Sequence, residues 1–222
     1  MRWSALWEAA DMIPSKEEML LALTERNGQK LQDRFSRGTV AVCGLGGLGS
    51  NIAISLARTG IGKLIIIDFD RVDITNLNRQ QYKAGQIGRY KTDALAENLK
   101  EIAPYVEIQS HTVRIDQSNA LDLLRDASII CEAFDNPECK SMLTDIVLEK
   151  MPDKFLVAAS GMAGMGNPNS IKTRKITDKF YLCGDGVSDI SDGIGLVAPR
   201  VAICAAHQAH TVLRILAKEF DV

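Results

Sequence analysis

A glycine-rich loop followed by an acidic residue is the feature of this sequence that points most directly to chemistry. The loop follows an apolar run, opens a segment of helical pattern and carries Gly44, Gly46, Gly47 and Gly49. Glycines at this spacing let the backbone approach phosphate groups, and the helix N-terminus supplies positive potential. Asp68 ends the next apolar run, where a carboxylate can accept hydrogen bonds from ribose hydroxyls. Together these residues predict a bound nucleotide with a free ribose.

Polar residues further along the chain indicate which chemistry the nucleotide undergoes. Asn76 and Arg79 come soon after Asp68, and Lys91 follows. Hydride transfer needs no cations at the far phosphates, whereas attack on the α-phosphate of ATP builds negative charge that Arg and Lys can neutralise. Asp135 follows another apolar run, at the strand end where open α/β sheets bind ligands, and magnesium is its natural partner. The cluster favours ATP over NAD.

The elements that position these residues alternate between strands and helices. Strands are predicted at 39–43, 63–68, 106–109, 128–132 and 155–159, with helices at 49–59, 90–102, 118–125, 137–150 and 201–218. This βαβα order predicts a Rossmann-like, doubly wound α/β fold with a mainly parallel sheet and helices on both faces. The segment 160–197, rich in Gly, Ser, Asn and Asp, is predicted as loops around one polar strand at 170–176.

The N-terminal part of the chain predicts a separate helical extension. A charged helix is expected over 15–36, beginning at a capping box made by Ser15 and Glu18. Residues 1–37 would form this extension, and 38–222 would form one nucleotide-binding domain. A chain of 222 residues with 46% hydrophobic content can bury one core of that size.

Bulk composition excludes several classes of protein. The formal net charge of -2 provides no basic field for nucleic acid or an anionic membrane. No apolar run reaches the roughly 18 residues of a membrane span, and Arg2, Glu8 and Asp11 do not suit a signal peptide. The five cysteines include no C-x-x-C pair, so neither a disulfide framework nor a zinc site is predicted. A cytoplasmic protein with reduced thiols is expected.

The segment from Asp68 to Gln80 has the form D-x-D-x-V-x-x-x-N-L-x-R-Q. It resembles the bacterial sulfur-carrier adenylyltransferases of the thiamine and molybdopterin pathways, which are relatives of the ubiquitin-activating enzymes. The similarity runs from about residue 29 to the C-terminus, including Ala133-Phe134-Asp135-Asn136 and Ala198-Pro199. The zinc-less ThiF branch of thiamine (thiazole) biosynthesis looks closest.

The resemblance implies a role for each matching residue. Gly44 to Gly49 would surround the phosphates, Asp68 would hold the ribose with Asp70 also in the nucleotide site, Asn76, Arg79 and Lys91 would bind phosphates, and Asp135 would position Mg²⁺. The implied reaction is attack on ATP by the C-terminal glycine carboxylate of a small ubiquitin-like sulfur-carrier protein with a Gly-Gly tail, giving an acyl-adenylate and pyrophosphate. Arg79, Lys91 and Asp135 would act in catalysis, and a homodimer is expected.

The thiols separate this chain from some relatives. Many relatives hold zinc with two C-x-x-C pairs, whereas the segment 181–186 offers one cysteine, so no zinc is predicted. That residue, Cys183, is predicted in a loop near the carrier's tail, either as a thiol that attacks the adenylate or accepts sulfur, or as a structural thiol. Cys43, Cys131 and Cys204 are interpreted as buried packing residues.

Three other functions compete with carrier adenylylation. An ATP-dependent dehydratase acting on a modified adenosine in tRNA would share the ATP site but would need a basic face. A nicotinamide-dependent oxidoreductase would use Asp68 but leave Arg79 and Lys91 unexplained. A non-catalytic ATP-binding scaffold would not be expected to keep the glycine loop with both cations.

Overall fold

The structure is a computed structural model that describes residues 13–222, apart from the side chain of residue 192. The first part of the predicted N-terminal extension, residues 1–12, therefore lies outside the described residues. No helix in the described part of the chain is long and apolar enough to cross a bilayer.

One seven-stranded sheet forms the centre of the molecule. Its strands are β1 (Thr39–Cys43), β2 (Lys63–Ile67), β3 (Glu107–His111), β4 (Ile129–Glu132), β5 (Phe155–Ala159), β6 (Lys172–Thr177) and β7 (Phe180–Gly184). They lie in the order β3-β2-β1-β4-β5-β7-β6, and every pairing is parallel except that between β6 and β7. The mainly parallel sheet that the sequence predicts is confirmed.

Helices cover both faces of this sheet. They are α1 (Lys16–Asn27), α2 (Gln29–Phe35), α3 (Gly47–Arg58), α4 (Lys91–Ile102), α5 (Ala120–Leu124), α6 (Pro137–Lys150) and α7 (Ala198–Ala217). Side chains of β1 alternate, so that Val40 and Val42 join a core with α3, α4 and α7, while Ala41 and Cys43 join a second core with α5 and α6. Two buried cores, one on each face, confirm the doubly wound architecture.

The strand order reverses beside β1, and this reversal indicates where a ligand binds at the edge of the sheet. β1 pairs with β2 on one side and with β4 on the other, so the chain leaves the sheet in opposite directions from neighbouring strands. Open α/β sheets bind ligands at such a switch point, outside the carboxyl ends of the strands. The glycine loop follows β1 at this point, and Asp135 follows β4.

Two predicted elements differ from the structure. The helix expected over 15–36 is divided at Gly28, whose φ of +79° interrupts the helix, although the predicted Ser15–Glu18 capping box is present. The segment 160–197 contains two strands and not one, because β7 inserts between β5 and β6. The burial of β7 depends on pairing with the distant β5, which local composition does not reveal.

Candidate functional site

The glycine loop after β1 is held in one conformation by contacts that its sequence requires. Gly44 has a φ of +91°, which favours glycine. A Cβ on Gly49 would lie 1.8 Å from the carbonyl oxygen of Gly44, so a side chain there would collide with the loop. The Leu45 carbonyl accepts a hydrogen bond of 2.7 Å from the Tyr82 hydroxyl. The loop is therefore preorganised, and its last glycines form the first turn of α3, which begins at Gly47.

Asp68, at the end of β2, joins the loop to the predicted ribose position. Its two carboxylate oxygens accept the backbone N–H groups of Leu45 at 2.6 Å and Asp70 at 2.7 Å. The residue is only 8% exposed, and burial raises the pKa of its carboxyl while the nearby Lys91 ammonium opposes that rise. Each carboxylate oxygen has a second lone pair, so Asp68 can still accept ribose hydroxyls.

Lys91, the first residue of α4, is buried and paired. Its Nζ lies 2.9 Å from an oxygen of Asp70, with the lysine side chain 7% exposed and the aspartate 49% exposed. The pair places Asp70 between Lys91 and solvent. For Lys91 to contact a phosphate, its ammonium must give up or share this carboxylate.

Arg79 lies against the glycine loop. Its Cγ and Cδ come within 3.4 and 3.5 Å of the Cβ position at Gly47. One terminal nitrogen donates to the carbonyl of Thr75 and the side chain of Asn78, but the buried Nε has no hydrogen-bond partner among the described residues. An unpaired buried donor is costly, so this nitrogen calls for an acceptor that residues 13–222 do not supply.

Asn76 lies in the short 3-10 turn Ile74–Asn76 that precedes Arg79. Its side-chain oxygen accepts from the backbone N–H of Asp73, which closes a capping box on that turn. This bond fixes the orientation of the side chain. The amide NH₂ group makes no hydrogen bond within the described residues, so it remains available as a donor to a phosphate oxygen.

Asp135 follows β4 and is exposed, with no hydrogen bond or ion pair among residues 13–222. Its loop lies close to the glycine loop, since a Cβ on Gly44 would be 2.8 Å from the carbonyl oxygen of Ala133. The next residue, Asn136, caps α6 by accepting from the backbone N–H of Cys139. An unengaged carboxylate at this position suits Mg²⁺, which is commonly bound through one or two carboxylates together with substrate phosphates.

A partly buried ion pair at the end of β4 is a feature that the sequence does not predict. Glu132, at the end of β4 and 1% exposed, accepts two bonds of 3.0 Å from Lys140 on α6. Lys140 also donates to the carbonyl of Ala159 at the end of β5. Burial raises the pKa of Glu132, and the Lys140 charge opposes this. The pair therefore joins β4, β5 and α6 around the segment that carries Asp135.

The loop position predicted for Cys183 is wrong. Cys183 lies on β7, is fully buried, and contacts the Thr173 hydroxyl at 3.6 Å. Burial raises the pKa of its thiol, which disfavours the reactive thiolate. Cys43, Cys131 and Cys204 are also fully buried, in agreement with their interpretation as packing residues, whereas the fifth cysteine, Cys139, is half-buried.

No group of three or more His, Cys, Asp or Glu side chains that could hold a metal ion occurs in the described part of the chain. The absence of zinc remains a prediction from the sequence. A magnesium ion held by Asp135 and by substrate phosphates would not need such a group.

The glycine loop at the switch point, the acid at the end of β2 and the cations beside them define a nucleotide-binding protein of the Rossmann-like class. Residues 18–221 match the sequence profile of the ThiF family, and the chain belongs to that family. The family predicted from the segment Asp68 to Gln80 is thus confirmed.

Two proteins with assigned names are similar to this chain over most of its length. The chain is 31% identical over 205 residues to "Adenylyltransferase and sulfurtransferase MOCS3" of Caenorhabditis briggsae, covering 88% of this chain and 50% of that protein. It is 28% identical over 204 residues to "Adenylyltransferase and sulfurtransferase UBA4" of Scheffersomyces stipitis, covering 88% and 45%. The chain therefore spans about half the length of these relatives.

Solved structures with lower sequence identity share the fold. The Escherichia coli tRNA N6-threonylcarbamoyladenosine dehydratase TcdA in complex with AMP superposes with a TM-score of 0.81 at 22% identity, covering 94% of this chain and 98% of that chain. Escherichia coli MccB with ATP gives a TM-score of 0.66 at 20% identity, covering 99% and 75%. At these identities the likeness concerns the fold alone.

Proposed function

We propose that this protein uses ATP to adenylylate the C-terminal glycine carboxylate of a ubiquitin-like sulfur-carrier protein. The observation that carries the proposal is Arg79, whose aliphatic carbons lie against the glycine loop and whose buried Nε has no partner among residues 13–222. An anionic phosphate oxygen would satisfy this donor with a strong, charge-assisted hydrogen bond. The family and the names of the two curated relatives support adenylyl transfer.

The chemical step needs no general base in the protein. A glycine carboxylate is already ionised at neutral pH, so its oxygen can attack the α-phosphorus directly. The bond between the α-phosphorus and the oxygen that bridges to the β-phosphate breaks, and pyrophosphate departs with that electron pair. The protein's contribution is to position the two reactants and to stabilise the charge that develops on the phosphate oxygens.

The described residues divide this work among them. Asp68 accepts the ribose hydroxyls, the Asn76 amide donates to a phosphate, and Arg79 and Lys91 neutralise charge on the phosphates. Lys91 would exchange part of its contact with Asp70 for the phosphate, so its charge becomes available when the nucleotide arrives. Asp135 would hold Mg²⁺, which when bound supplies further charge neutralisation at the phosphates.

The finer proposals concern the partner and the pathway. We propose a small carrier with a flexible Gly-Gly tail, a homodimeric assembly and a role in thiazole formation for thiamine. The net charge of -2 does not favour a tRNA substrate, although dehydratase structures share the fold.

Pyrophosphate exchange into ATP tests the proposed activity. Purified protein with Mg²⁺ is assayed with and without a Gly-Gly-tailed sulfur-carrier protein from the same source. Exchange that requires the carrier supports the proposal, and a carrier lacking its last glycine is the matched control. Absence of exchange with any carrier would contradict it, and tRNA-stimulated ATP hydrolysis would then indicate the dehydratase.

A further inference from the structure

A cavity of about 640 Å³ lies beside the nucleotide site, and none of the roles described above uses it. Its walls are the segment after β5 (163–170), the segment after β7 (185–194), strand β6 and the first turn of α7. Because β5 and β7 end at the same edge of the sheet as β4, the cavity opens on the edge where the nucleotide is expected.

A buried ion pair holds the wall segments of this cavity in place. Arg200 on α7 and Asp185 after β7 are paired, and each side chain is 6% exposed. Arg200 also donates to the carbonyls of Ala163 at 3.0 Å and Gly166 at 2.9 Å. Although burial opposes ionisation, hydrogen bonds from the backbone N–H groups of Ser188 and of its neighbour at 187, together with Arg200, lower the pKa of Asp185 to about 2. Both wall segments are therefore tied to α7.

The cavity carries more positive than negative charge. Lys172 and Arg174 project from the same face of β6 into it, since they are two residues apart on one strand. Arg174 donates to the carbonyls of Gly184 and Asp185, and the side chain of Lys172 makes no hydrogen bond or ion pair with any described residue. Among the described side chains of the lining, Arg200 and Asp185 cancel, and Asp189 is the other carboxylate. Positive charges therefore outnumber negative ones by one among these described side chains.

The rim of the cavity is apolar and exposed. Val187 and Ile194 line the cavity and are 85% and 52% exposed, and Ile190 (66%) and Met165 (73%) are exposed residues of the same two wall segments. Single exposed apolar residues are common on protein surfaces, but four in the segments that form one cavity favour contact with another polypeptide. A cationic cavity with an apolar rim fits a protein segment that carries a carboxylate side chain between apolar neighbours.

We propose that this cavity recognises an acidic side chain in the C-terminal segment of the carrier, an inference that rests on the proposed function. β7 lies two strands from β4, which is a separation of about 10 Å. β7 is three strands, or about 14 Å, from β1, which carries the glycine loop. An extended chain covers about 3.3 Å per residue, so the acidic residue stands about three to four positions before the terminal glycine. Lys172 and Arg174 would then set which carrier is accepted, while the nucleotide site carries out the chemistry.

Charge reversal at Lys172 tests this assignment. The Lys172→Glu variant is compared with Lys175→Glu, which makes the same change on the opposite face of β6, where Lys175 forms an ion pair with the exposed Asp178. In the exchange assay with the carrier that supports wild-type activity, the KM for carrier of Lys172→Glu is expected to rise at least about tenfold, with the KM for ATP unchanged. A Lys172→Gln, Arg174→Gln double variant repeats the measurement without introducing a negative charge.

Compensation in the carrier completes the test. Replacing the acidic residue in the carrier's last few positions by lysine is expected to restore a low KM with Lys172→Glu and to raise it with the wild-type protein. If wild-type exchange is robust but Lys172→Glu and Lys175→Glu have the same KM for carrier, the cavity does not recognise the carrier and the proposed activity stands. If the wild-type protein shows no exchange with any carrier, both the activity and this recognition are overturned.

Discussion

Replacing Arg79 by glutamine tests the catalytic site most directly. Hydrogen bonds to charged groups contribute about 1.5–3 kcal/mol each, and the unpaired Nε makes at least one such bond possible without breaking another. The terminal nitrogen must exchange its bonds with Thr75 and Asn78 for a phosphate, which reduces its net contribution. A loss of about 2–3 kcal/mol in transition-state stabilisation corresponds to a fall of about 30- to 150-fold in kcat/KM.

The assay is carrier-dependent pyrophosphate exchange, with Arg71→Gln as the matched control. Arg71 belongs to the same segment but stacks on Tyr90, 3.8 Å from the ring centroid, and donates to the carbonyl of Gly88. Its replacement is expected to change kcat/KM by less than about twofold. If Arg79→Gln behaves like Arg71→Gln, Arg79 does not contact the reacting phosphates, and the interpretation of its buried Nε is refuted.

Other predictions concern the loop, a carboxylate and a thiol. Gly49→Ala is expected to lower the Tm by several degrees and to weaken ATP binding, because the new Cβ would lie 1.8 Å from a carbonyl oxygen. Gly46→Ala is the control and is expected to keep the wild-type Tm, because the nearest atom to its Cβ is 3.8 Å away. Lys91→Met removes the cation that opposes the raised pKa of Asp68. A carboxyl whose pKa is raised by folding stabilises the protein at low pH, and this stability is lost as pH rises. The difference in Tm between Lys91→Met and wild type is therefore expected to be larger at about pH 8 than at about pH 4. Equal differences in Tm at the two pH values would contradict this. Alkylation of the folded protein should label Cys139 first, because the other cysteines are buried, and rapid loss of more than one thiol would contradict the burial described.

Local sequence patterns were sufficient to predict the first half of the fold. β1, the glycine loop and β2 are contiguous, and each is encoded by a short apolar run with glycine or aspartate at its end. The segment Asp68 to Gln80 likewise brings Asp68 and Arg79 to the glycine loop through a single connection. Because few long-range contacts are needed, the spacing of residue types predicted their neighbourhood.

Features that depend on long-range pairing could not be predicted in the same way. β7 is bounded by a turn and by Gly184, and only its pairing with β5 makes it a buried strand. This is why Cys183 was predicted in a loop. Glu132 and Lys140 are charged residues in ordinary strand and helix contexts, and the burial of Glu132 beside Lys140 arises only when α6 packs over the ends of β4 and β5. Sequence spacing alone does not distinguish such a pair from surface charges.

Asp68 has a second consequence for experiments on this site. Its carboxylate accepts a hydrogen bond from the Leu45 backbone N–H and is also the predicted acceptor for the ribose hydroxyls. An asparagine at this position would keep one acceptor oxygen and replace the other by a donor that faces a backbone N–H. Asp68→Asn would therefore disturb the loop and the ribose contact together, and its effects should be strongly non-additive with those of Tyr82→Phe, which removes the other tether of Leu45. A double-mutant cycle on these two positions would separate the loop's rigidity from its affinity for the nucleotide.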